Sequence, residues 1–104
     1  MHKRIDDKCI YIYGAGERGR LTYDLLVEFN IETEGFIDQN HAIQQNLFCG
    51  KSVFDPRELG SVDQATVIVS NSRGMKEIID NLSKINPHIT CITYTRLIKI
   101  LYSD

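Results

Sequence analysis

Three glycines at G-x-G-x-x-G spacing, Gly14, Gly16 and Gly19 in the stretch Y-I-Y-G-A-G-E-R-G-R, are the residues of this chain best suited to hold a phosphate. An apolar run stops at Gly14, and a helix-compatible pattern begins by Glu17. Gly14 would permit a sharp turn out of a strand, Gly16 would let a phosphate approach the backbone without meeting a Cβ, and Gly19 would let the helix pack closely on the sheet. The unpaired N–H groups of the first helical turn and the positive end of its dipole then face an anion. Alone, this spacing is a weak signal. It gains weight from the strand before it, the helix after it and an acid further on. The expected nucleotide-binding residues of the turn are Gly14, Ala15, Gly16, Glu17, Arg18 and Gly19.

That acid is Asp38, 19 residues beyond Gly19, at the end of a second strand. A carboxylate there can accept hydrogen bonds from both hydroxyls of a ribose; the plainer reading is that Asp38 opens the following turn. Gln39 and Asn40 supply no cation for a 2′-phosphate, so a dinucleotide would be NAD rather than NADP. Arg18 and Arg20 sit where the helix dipole favours acids. A phosphate partner explains them, Arg18 more than Arg20, and so does a solvated face balanced by Glu17. Asn71, Ser72 and Arg73 follow the central strand and either line the base or sugar pocket or cap the next helix, with Ser72 a good N-cap.

No catalytic residues are expected. His2, His41 and His88 keep no ligand spacing with one another or with Cys9, Cys49 and Cys91, so no zinc site is expected. A Ser-His-Asp reading would have to draft a histidine from outside any strand end that carries a nucleophile. Cys9 and Cys91 fall in expected strands as small buried hydrophobes, leaving Cys49, in a loop, as the exposed thiol.

The elements that must position these residues alternate along the chain. Lys8 to Tyr13 reads as a strand apolar on both faces, as in the centre of a parallel sheet. Glu17 to Phe29 reads as a helix burying Leu21, Leu25, Leu26 and Phe29, with Asn30 ending it. Thr33 to Ile37 is the second strand, residues 39–50 a polar loop, and Lys51 to Phe54 a short edge strand. Asp55-Pro56-Arg57-Glu58 has the grammar of a capping box with Pro at N1, and Gly60 stops that turn early. Ala65 to Ser70 is a central strand beside the first. Gly74 to Ile85 is a helix with Met75, Ile78, Ile79, Leu82 and Ile85 on one stripe. Ile89 to Thr93 and a closing helix from Thr95 to Tyr102, docked by Leu97, Ile98 and Leu101, complete the order. The fold class is α/β: a small, doubly wound, Rossmann-like three-layer domain with a mostly parallel sheet of four to five strands.

With 104 residues, 42% of them hydrophobic and 25% charged, the chain reads as one soluble domain, residues 1–104, too small to include a second, catalytic one. Its net charge of −2 has neither sign clustered, so nucleic acid is not an expected partner. No apolar run approaches the ~20 residues of a membrane span, and the charged start lacks a signal peptide's apolar core, which makes the cytoplasm the default location. The last helix carries more apolar residues (Ile98, Ile100, Leu101, Tyr102) than one face needs, so self-association is a further expectation. Separately, with no catalytic groups of its own, the chain is expected to be either a stand-alone protein or one domain of a larger enzyme, fused to a catalytic domain.

Y-I-Y-G-A-G-E-R-G-R, G-F-I-D, C-G-K-S-V-F-D-P-R-E-L and V-I-V-S-N-S together resemble the nucleotide-binding N-terminal domain of bacterial sugar N-acetyltransferases, which acetylate UDP-amino-sugars in glycan synthesis. The resemblance runs from Lys8 to about Tyr94. It implies that Gly14, Gly16, Gly19 and Asp38 hold a UDP-sugar-type nucleotide in polysaccharide biosynthesis. The chain departs from that pattern at Glu17-Arg18, where the acetyltransferases often carry Gly-His, and it has no hexapeptide-repeat domain to bind acetyl-CoA. The expectation is therefore a non-catalytic module for a nucleotide-sugar or nucleotide diphosphate; the alternative is an NAD-binding regulatory or redox-sensing domain.

Overall fold

In the computed structural model, which describes residues 9–70 and 73–103, Ile10–Tyr13 form β1 with all four side chains buried. The chain continues through α1 (Glu17–Glu28), β2 (Gly35–Ile37), α2 (His41–Gln44), β3 (Val53–Phe54) and a 3-10 helix (Pro56–Ser61). It ends with β4 (Ala65–Val69), α3 (Met75–Ile85), β5 (Ile89–Thr93) and α4 (Tyr94–Tyr102).

The five strands form one sheet in the order β3-β2-β1-β4-β5, and every neighbouring pair is parallel. Ile12 lies opposite Phe36 on one side and Ile68 on the other. Because side chains alternate across a strand, β1 feeds two cores. Ile10 and Ile12 pack with Leu25 and Leu26 of α1 and Leu97 of α4, whereas Tyr11 and Tyr13 pack with Leu59 of the 3-10 helix and Leu82 of α3. The result is the α/β three-layer domain expected from the sequence, with a sheet that is parallel throughout. The chain runs outward from β1 to β3, then returns to lie beside β1 as β4. The strand order therefore reverses between β1 and β4, and ligands of open parallel sheets bind at such a point.

Several boundaries moved, each for a local reason. Leu21, expected on the buried stripe of α1, is 55% exposed. Gly19 and Thr22 take its place toward the sheet, and the Thr22 hydroxyl donates to the Arg18 carbonyl at 2.9 Å. Asn30, at φ 59°, ends α1 as expected. β2 begins at Gly35 rather than Thr33, although the Glu34 N–H already pairs with the Ile10 carbonyl at 2.7 Å. The expected polar loop contains α2, whose N-cap Asn40 accepts the Ala42 N–H. The predicted capping box at Asp55 and Glu58 is present, but the helix it starts is of the 3-10 kind and continues through Gly60 to Ser61.

At the head of α3 the N-cap is Gly74, in the left-handed region at φ 71°. That is not the cap expected of Ser72, which with Asn71 lies outside the described residues. Cys9 lies just before β1 at φ 53° rather than within it, and all three cysteines are half-buried, so Cys49 is not singled out by exposure. On the far side of α3 the buried Asn86 amide donates to the Leu59 and Val62 carbonyls at 3.0 and 2.7 Å, tying the short 3-10 helix to the α3 terminus. Tyr102 packs edge-to-face on Phe29 with ring centroids 5.2 Å apart, so α4 turns part of its apolar excess toward α1. Among the described residues no helix is long and apolar enough to cross a membrane.

Candidate functional site

The sharp exit from β1 depends on Gly14, whose φ of 104° is costly for any residue with a Cβ. Its N–H donates to the Ile37 carbonyl at 2.7 Å, pinning the turn to the end of β2. Gly19 then lies against the turn it follows: a Cβ there would collide with the Gly14 carbonyl oxygen. Gly16 differs from both. It is the N-cap of α1, with φ −138° and ψ −160°, and a Cβ there would meet nothing within 4 Å. No side chain caps this helix. The N–H groups of its first turn therefore lack both an intrahelical acceptor and a capping side chain.

Asp38 reaches this turn from the end of β2. One carboxylate oxygen accepts the Ala15 N–H at 3.0 Å and the other the Asn40 N–H at 2.9 Å. The acid thus opens its own turn and also braces the glycine turn, 23 residues away in sequence. Two bonds leave about half the lone-pair capacity of a carboxylate unused. Arg18 spans the other side, where its Nη1 donates to the Ser70 carbonyl at the end of β4, 3.2 Å away. Gln44 of α2 donates to the Asp38 carbonyl and is also hydrogen-bonded to the Asp55 carboxyl, joining the ends of β2 and β3.

These groups enclose a crevice of about 390 Å³ lined by Tyr13 to Gly19, Asp38, Ile43 and Ser70. The structure thereby gathers Gly14, Ala15, Gly16, Glu17, Arg18, Gly19 and Asp38 into one cavity at the reversal of strand order. Arg20 is not among the lining residues; it lies near Cys49 instead. Sequence reasoning missed Tyr13 and Ile43. The only signal for Ile43 was a single apolar residue three positions after a capping asparagine; for Tyr13 it was adjacency to Gly14. Burial raises the Tyr13 hydroxyl above its ordinary pKa, against the effect of a hydrogen bond with the Gln39 side chain; the nearby Asp38 and Asp55 carboxylates raise it further. Burial likewise raises the Cys49 and Cys91 thiols, which keeps them protonated and poorly nucleophilic at neutral pH.

Next to the crevice, Asp55 accepts the Arg57 N–H at 2.9 Å and the Arg57 guanidinium at 3.0 Å through both carboxylate oxygens. These bonds hold its carboxyl well below the usual carboxylate range. A carboxyl depressed in the folded state stabilises the fold above its unfolded pKa of about 4, and this contribution is lost as pH falls toward the folded value. Asp55→Ala is therefore expected to melt below the unsubstituted protein at pH 7, and the gap should narrow as the pH is lowered below about 4. Melting curves at pH 7 and pH 3 measure it; a gap that stays constant would contradict the assignment.

A family profile described as C2185-like, N-terminal, matches residues 5–92 of the chain. No curated protein and no solved structure matches it.

Proposed function

The chain belongs to the C2185-like, N-terminal, family, and for this member we propose a binding module without chemistry of its own, which holds the diphosphate of a nucleotide or nucleotide-sugar in the crevice at Gly16. The observation that carries this reading is the uncapped start of α1, open to solvent beside Gly16 and flanked by Asp38 and Arg18.

The charges narrow the ligand. Arg18 and the helix dipole attract an anion, whereas Glu17 and Asp38, in the same lining, oppose one. A bare phosphate gains nothing from two carboxylates. A ligand that carries hydroxyls next to its phosphates can donate to the free lone pairs of Asp38, as a ribose would, while the phosphates occupy the N–H groups. The resemblance to nucleotide-binding domains of UDP-amino-sugar N-acetyltransferases supports the same reading and suggests a role in polysaccharide biosynthesis. Gln39 and Asn40, both uncharged, follow Asp38, which favours NAD over NADP should the ligand be a dinucleotide.

A thermal-shift series with UDP, a UDP-hexosamine, NAD and NADP tests the proposal. A ligand that binds only the folded state stabilises it by RT ln(1 + [L]/Kd), about 2.7 kcal/mol at a hundredfold excess over Kd. Shifts with UDP and the UDP-sugar are expected. A shift with NAD alone would replace the proposal with a redox-sensing domain, and no shift with any of them at millimolar concentration would contradict it.

A further inference from the structure

A second cavity, of about 400 Å³, lies between the start of the 3-10 helix and α3, separated from the glycine crevice by the end of β2. Gln39, the residue after Asp38, lines it, and the Gln39 side chain is hydrogen-bonded to the hydroxyl of Tyr13, which lines the first cavity. Consecutive residues, Asp38 and Gln39, therefore line the two cavities. A ligand with its diphosphate at Gly16 and a ribose at Asp38 would project its next group toward this groove.

The lining of the groove suits a particular kind of group. Pro56 and Ile85 give it apolar sides, while Gln39 and Asn81 present side-chain amides, each able to donate and accept. Arg57, its arginine, is already held by Asp55 at 3.0 Å, so no uncompensated guanidinium awaits a second phosphate. His41 also lines the groove. A flat, uncharged ring with apolar faces and a polar edge matches such a surface better than an anion does.

We propose that this groove is the nucleobase subsite of the diphosphate site, with the Asn81 and Gln39 amides reading the edge of the base. The inference rests on the diphosphate reading above and adds a specificity determinant on α3, an element that does not touch the glycine turn crevice.

Calorimetric titration of UDP, CDP, ADP, GDP and inorganic pyrophosphate into the unsubstituted protein, Asn81→Ala and Gln39→Ala tests it. Asn81 is exposed in the middle of α3, where alanine favours the helix, so Asn81→Ala keeps the fold; Ser83→Ala, on the same helix but outside the groove, is the control. The unsubstituted protein should rank the four nucleotides. Asn81→Ala should weaken the preferred one by about tenfold, the effect of losing a hydrogen bond to a base edge, and leave pyrophosphate unchanged. Gln39→Ala should act in the same direction and Ser83→Ala should change nothing. Equal binding of the four nucleotides and pyrophosphate, or a ranking that survives Asn81→Ala, would overturn the subsite while leaving the diphosphate site standing. Failure of every nucleotide and of pyrophosphate to bind would overturn both.

Discussion

Gly19→Ala is expected to destabilise the protein by about 3 kcal/mol, because the added methyl group collides with a backbone carbonyl and cannot be relieved by rotating a side chain. For a chain of this size that is a fall of roughly 10–20 °C in melting temperature. The sign makes the prediction decisive. In an unobstructed helix interior, Gly→Ala is stabilising by about 1 kcal/mol through helix propensity alone. A melting temperature that rises would therefore show that α1 does not lie against Gly14. Yielding at the Gly14 carbonyl would also disturb the Gly14 N–H bond to Ile37, so the damage should spread to the end of β2.

Asp38→Ala is the second large effect expected. The Ala15 N–H, on a residue that is 8% exposed, loses its acceptor, and so does the Asn40 N–H that starts the α2 turn. An orphaned buried donor costs about 2 kcal/mol, roughly a 10 °C fall in melting temperature here. Asp38→Asn should fall between the two, because its amide oxygen can accept one of these N–H groups while its NH2 faces the other. Thermal melts of the two variants measure this, and a melting temperature for Asp38→Ala within 2 °C of the unsubstituted protein, taken as ~0.3 kcal/mol, would show that the brace is not formed. If Asp38 also receives ribose hydroxyls, Asp38→Asn should weaken UDP more than pyrophosphate.

The parts of this fold that were legible in the sequence are those written in local pattern. The run at Val67 to Val69, the stripe from Met75 to Ile85 and the strand at Ile89 to Thr93 carry their period or their apolar continuity openly, and the structure keeps them within a residue. The box at Asp55 and Glu58 was equally readable, since both partners lie within one turn. Leu21 was misread because an apolar stripe ignores distance. In its first turns α1 approaches β1 so closely that Gly19 and Thr22 face the sheet there, with Leu25 and Leu26 following, and Leu21 is turned outward. α2 has four residues, only one of them (Ile43) a large apolar one, and so no period to detect; a cap at Asn40 and the Gln44 bond to Asp38 hold it.

In the candidate site, Gly14 and Gly19 were legible because their roles are backbone roles that only glycine fills, whereas nothing in the fold itself requires glycine at position 16. The partners of Asp38 and Arg18 were not legible. Asp38 takes a backbone N–H and Arg18 a backbone carbonyl, 23 and 52 residues away. Backbone groups are the same at nearly every position, so no residue type marks them. The structure turns Asp38 from a choice between ribose acceptor and turn former into a brace with lone pairs to spare, and it ties Arg18 to β4 across the crevice.

The most direct test of the account is calorimetric titration of UDP into the Gly16→Ala protein beside the unsubstituted one. Gly16 has an extended backbone that alanine can adopt and open space where the Cβ would go, so the fold should survive with a stability loss of no more than about 1 kcal/mol, chiefly from the poorer N-cap. The same methyl group stands where the diphosphate must approach, and binding should weaken by at least about tenfold. A Gly16→Ala protein that melts normally and binds UDP as tightly as the unsubstituted chain would contradict the account, because the opening at the start of α1 would then not be where the ligand sits.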